Sequence, residues 1–135
     1  MYKRALRVVL FLVSLTGLFA IMFPFLPWKD FITICSWFGI TDLPAEPSTP
    51  YTEYLFYTMF GASALFGYLY LIAAINPDKY SNIIPILGYA LIFIGFIVLY
   101  HGIRLKLPPW PYFADPFICF VFGPSIVYLS KKCKF

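Results

Sequence analysis

Long apolar runs separated by short polar or proline-rich segments set the pattern of this chain: about residues 6–26, 54–75, 83–103 and 112–130. Each run is close to the 20 or so apolar residues that a helix needs to cross a bilayer core. The runs are continuously apolar, whereas the strands of a membrane barrel alternate over short stretches. The pattern therefore predicts an all-α, integral membrane four-helix bundle, one domain over residues 1–135, with an outer-side connection at 27–53 as its long link.

Within that connection, Pro24 and Pro27 close the first run, and "PWKDFITICSWFG" reads as a short interfacial helix with Pro27 at its start and Gly39 past its end. Trp28, Phe31, Ile32, Cys35 and Phe38 fall at three- and four-residue steps on one face. Pro44, Pro47 and Pro50 then favour an extended, polyproline-like path, either a cover over the outer end of the bundle or a plain connector. The first run, behind Lys3 and Arg4, is longer than the core of a signal peptide and no small-x-small cleavage pattern follows it. It is expected to stay as a span.

Small residues mark candidate helix contacts, because they let backbones approach where no hydrophobic effect drives association. Ser63 and Gly67 stand four apart in the second span, and Gly88, Gly95 and Gly102 repeat at heptads in the third. Heptad spacing keeps the three on one stripe in a left-handed crossing. They are expected to form a packing seam with Ser63 and Gly67 opposite, since the turn "NPDKYSN" makes spans two and three an antiparallel hairpin. Tyr89, Phe93, Phe96 and Tyr100 form a neighbouring aromatic stripe, and Pro124 predicts a kink in the fourth span.

Composition agrees with a membrane protein: 61% hydrophobic, 22% aromatic and 12% charged residues, against about 25% charged in soluble domains. With four spans, both termini share one side. That side carries Lys3, Arg4, Arg7, Lys79, Lys131, Lys132 and Lys134 against Asp78; the other has Lys29, Arg104 and Lys106 against Asp30, Asp42, Glu46, Glu53 and Asp115. Basic residues mark the cytoplasmic side, so both termini are expected there. The formal charge of +4 then divides between two faces and gives no nucleic-acid surface. Membrane lipids are the expected partners, with other membrane subunits or self-association beside them. Trp28, Trp37 and Trp110 all fall on the outer side, where a half-buried indole is at home.

Candidate chemistry is sparse. The three cysteines, Cys35, Cys119 and Cys133, show no C-x-x-C spacing; the first two read as small apolar filler, and Cys133 beside lysines is a weak acylation candidate. His101, Arg104 and Asp115 share the stretch "HGIRLKLPPWPYFAD", and with Glu53 they compose a candidate outer-face polar cluster for a lipid headgroup or a metal. Each also has a plainer role, as headgroup anchors for His101 and Arg104 and as acids complementing helix dipoles for Asp115 and Glu53. One histidine falls short of the usual zinc sets, no catalytic triad or phosphate loop is visible, and no motif names a cofactor.

The proline-ended "IMFP", "WKDFITICSWFGITDLP", the "P...YL" entry to span two, "NPDKY" and "LPPW....D" together resemble a group of small, uncharacterised four-span bacterial integral membrane proteins. The resemblance implies the same topology and a bacterial plasma membrane, and implies no activity. Two functional classes follow from the residues: a non-catalytic accessory or structural component of a membrane assembly, or a binding module for a lipid, quinone or other lipophilic molecule at the outer-leaflet side. An enzyme acting on lipophilic substrates is the remaining class.

Overall fold

Proline and glycine positions explain most of the helix boundaries. In the computed structural model, which describes residues 2–133, the first helix α1 spans Tyr2–Phe19 and tightens into a 3-10 segment over Ala20–Phe25 with Pro24 inside it. Proline gives no N–H to the helical ladder, and the chain turns extended at Leu26. Pro27 then caps α2, Trp28–Trp37. Lys134, one of the basic residues counted above, lies outside the described residues.

The end of α2 depends on one glycine. Gly39 has φ +83, a left-handed conformation that costs glycine little. It lets the Gly39 and Ile40 N–H groups reach back to the carbonyls of Ser36 and Cys35, both at 3.0 Å. Such paired bonds satisfy the free carbonyls of a helix end. The chain then runs without regular structure to Thr49, whose hydroxyl accepts a bond from the Thr52 N–H at 3.2 Å. Pro50 follows in the first turn, and α3 spans Pro50–Ile75.

A short turn leads to α4, Ile84–Arg104. It closes with the same bond pattern as α2, but Lys106 takes the left-handed position, at φ 52. After the short α5, Pro109–Tyr112, α6 spans Ala114–Lys132. The described residues contain no strand. Three stretches, Tyr2–Phe25, Pro50–Ile75 and Ile84–Arg104, are long and apolar enough to cross a membrane. The fourth expected span, α6, falls outside that set; Asp115, Lys131, Lys132 and the weakly apolar Gly123-Pro124-Ser125 lie within it.

The helices pack in the order α3, α1, α6, α4, with α1–α3 and α4–α6 as the most extensive pairs. This corrects the expected seam. Gly67 meets Gly17 of α1, so closely that a Cβ on Gly67 would lie 2.6 Å from the Leu18 nitrogen, and one on Gly17 2.9 Å from the Ser63 carbonyl oxygen. Gly88 and Gly95 face α6 instead: a Cβ on Gly88 would lie 3.1 Å from the Gly123 carbonyl oxygen, and one on Gly95 2.8 Å from the Cys119 Cβ. Gly102, expected on the same seam, has open space where its Cβ would be. Helices α3 and α4 are joined by a short turn but splay apart; a buried link between them is the Tyr70 hydroxyl, which donates to the Leu87 carbonyl at 2.8 Å.

Two cores result. At the end bearing the termini, Leu6, Leu10, Ala73, Ile84, Leu87 and Ile126 form a largely aliphatic core. At the opposite end, Trp28, Phe31 and Cys35 of α2 pack on Phe23, Phe56 and Phe60.

Candidate functional site

The aromatic end is built by α2 folding back across the ends of α1 and α3. Phe31 is the centre of it: its ring lies 5.4 Å from Phe23, 5.7 Å from Phe56 and 5.5 Å from Phe60, each close to edge-on. Such geometries suit the ring quadrupoles. The Trp28 indole N–H donates to the Pro44 carbonyl at 3.2 Å, which ties the proline-rich connection down onto α2. The Tyr57 hydroxyl likewise donates to the Leu26 carbonyl at 3.0 Å, fixing the turn between α1 and α2 to α3.

Beneath this roof lies a cavity of about 500 Å³, reaching from Phe23, Phe31, Cys35 and Phe60 to Tyr112 and Asp115 at the start of α6. A second cavity of about 250 Å³ shares Phe38, Ile40, Tyr112 and Asp115 with it and adds Trp110. The shared residues make the two neighbours. Phe38 and Trp110 are exposed, as are Phe19 and Met59, which also line the larger cavity, whereas Phe31 and Cys35 are buried, so the site is a part-open hollow floored by buried aromatic and thiol groups. Burial pushes the Cys35 thiol above its ordinary value, which keeps it neutral. Another concavity, about 470 Å³, runs along the exposed flank of α1 and α3 at Val8, Phe11, Leu71 and Ile75. It is a trough on the outside of the helices.

The four residues of the expected polar cluster separate. Asp115 reaches the cavities and Glu53 sits half-buried in the first turn of α3. His101 and Arg104 are exposed in the last turn of α4, where His101 stands edge-on to Tyr100 at 5.2 Å. None of the four forms an ion pair among the described residues, where the ion pair present is Lys3–Asp78 at the other end of the molecule. No group of three or more His, Cys, Asp or Glu suited to a metal ion occurs among the described residues either.

Sequence reasoning missed the residues that make the cavity, Phe23, Phe56, Phe60 and Tyr112, and also Gly17. Phe23, Phe56 and Phe60 come from two segments over thirty residues apart in the chain, each ordinary within its own apolar run. Gly17 carried a signal: it is the lone glycine of the first run. No protein-family model, curated protein or solved structure matches this chain.

Proposed function

We propose that this chain is a four-span integral membrane protein that binds a lipophilic molecule between α2, α3 and the start of α6, on the outer-leaflet side. The observation that carries this reading is the aromatic cavity of about 500 Å³, a size within the roughly 300–1,000 Å³ of small-molecule sites. Its mouth lies at the end where all three tryptophans fall, the position expected of a membrane interface. Entry is then from the bilayer, and the bound molecule is a lipid, a quinone or a comparable apolar compound.

Counting α6 as the fourth span rests on its length and its ends. Its 19 residues rise roughly 28 Å at about 1.5 Å each, near the thickness of a hydrocarbon core. Asp115 lies in its first turn and Lys131 and Lys132 in its last, where side chains snorkel to the headgroups. An even number of spans, with six basic residues near the termini and Lys79 in the turn on the same side, favours a cytoplasmic side for both termini, and a bacterial plasma membrane suits the resemblance.

A second reading, a non-catalytic component of a larger membrane assembly, is favoured by a different surface. Tyr89, Phe93, Phe96 and Tyr100 of α4 are all exposed along one face, where a partner helix or lipid would pack. Native mass spectrometry of the protein released gently from its own membrane separates the readings. A monomer with one stoichiometric lipophilic adduct supports the binding module. A complex with partner chains and no small-molecule adduct refutes it in favour of the assembly component.

A further inference from the structure

The cavity wall is apolar and aromatic except where Asp115 enters it, and that carboxylate stands free of any ion pair with a described residue. Its position at the start of α6 complements the helix dipole, but leaves its charge open toward the space it shares with Trp110, Tyr112 and Phe38. The basic residues of the same side, Lys29, Arg104 and Lys106, do not line either cavity. Three positive charges face five negative ones on that side by sequence. Asp115 is exposed at this rim, so an anionic head entering here would meet a like charge and a cationic head an opposite one.

We infer that the site takes an amphiphile with an ammonium head: the apolar body fills the Phe31-centred cavity, and the ammonium rests at the rim between Asp115 and the rings of Trp110, Tyr112 and Phe38. This rests on the lipophilic-binding reading above and adds the charge of the ligand. The rim brings a carboxylate together with aromatic side chains, the two kinds of group that attract an ammonium with its bulky, weakly hydrated substituents. The source is either a choline-type lipid or a free long-chain amine, since both present the same head.

The test uses the full chain in dodecyl maltoside micelles, which carry no ammonium, with binding read by native mass spectrometry. Four probes are compared: hexadecyltrimethylammonium against hexadecanol, and phosphatidylcholine against a diacylglycerol with the same chains. The expected result is a one-to-one adduct with an ammonium probe about tenfold tighter than with its uncharged counterpart. Binding of phosphatidylcholine alone supports the inference with a lipid source; binding of hexadecyltrimethylammonium supports it with a free amine. Asp115→Asn should bring charged and uncharged probes within about twofold while heat stability in micelles stays at the parental value. Phe38→Ala, at an exposed position that also lines the larger cavity, gives a second variant and should weaken the ammonium probes more than the uncharged ones. Equal binding of charged and uncharged probes, or a preference unchanged in both variants, overturns the ammonium inference and leaves lipophilic binding standing. No saturable adduct with any of the four overturns both.

Discussion

The two ends of this molecule solve the same packing problem with different residues. At the end bearing the termini, helices meet through small and aliphatic side chains, with Leu6, Leu10, Ile84 and Ile126 fully buried. At the other end the helix ends are bridged by rings, and about 500 Å³ stays open beneath them. Aliphatic side chains beside glycine can close the distance between backbones, because one partner has no volume to displace. Rings cannot interdigitate so closely, and where three segments converge on Phe31 they hold each other apart. A close-packed end and a hollow end thus follow from residue shape.

Breaking the close-packed end should have the largest effect. Gly67→Leu would place a side chain against the backbone of α1 at a distance no rotamer relieves, and overpacking of this kind costs about 1–3 kcal/mol or more. Thermal unfolding in detergent should show a large loss, while Gly102→Leu, in open space, should unfold like the parent. Equal stability of the two variants would refute the α1–α3 contact. Ile126→Ala, at a fully buried position, should cost about 2–5 kcal/mol. Phe60→Ala, half-buried beside existing space, should cost less than Ile126→Ala in the same assay, and the reverse order would mean that the hollow end is closed in solution.

Smaller changes sharpen the contrast. Lys106→Gly should raise stability by about 1 kcal/mol, since lysine holds a left-handed conformation there that glycine adopts freely. Tyr70→Phe removes the hydroxyl that joins α3 to α4 and should cost about 0.5–1.5 kcal/mol. The smallest effect concerns reactivity. Burial raises the Cys35 thiol, so less of it is thiolate at neutral pH. Maleimide should label it more slowly than the half-buried Cys133, the difference narrowing as pH rises, and peptide mapping after timed quenching would reveal it.

Local features of the fold were legible because each depends on neighbours in sequence. Pro27 and Gly39 announce the ends of α2 through backbone conformation alone, and the face of α2 follows from its spacing; Pro50, expected on an extended path, instead opens α3 ahead of the expected start at about residue 54. Phe38 is the exception on that face: it lies past the last turn and stays exposed at the cavity rim. The partner of Gly67 was misjudged because chain connection suggested α4, whereas Gly17 offered a closer approach from α1. The cavity was illegible for a related reason: Phe23, Phe31, Phe60 and Asp115 acquire a shared meaning only after four separate segments converge. His101 and Arg104 looked like companions of Asp115 because the turn between them is short. Yet they end α4 on its exposed side, while Asp115 opens α6 toward α2.

The helix order α3, α1, α6, α4 also bears on how the chain comes to be assembled. Its most extensive contacts join elements made one after the other: α1 with α3 before the turn at 76–83, and α4 with α6 after it. The first pair has all the residues of its glycine contact before α4 begins, and the second has its own in Gly88 and Gly123. The contacts between the two halves run through α1, α6 and Tyr70. A chain cut within residues 76–83 and produced as two pieces should therefore reassemble into the intact bundle.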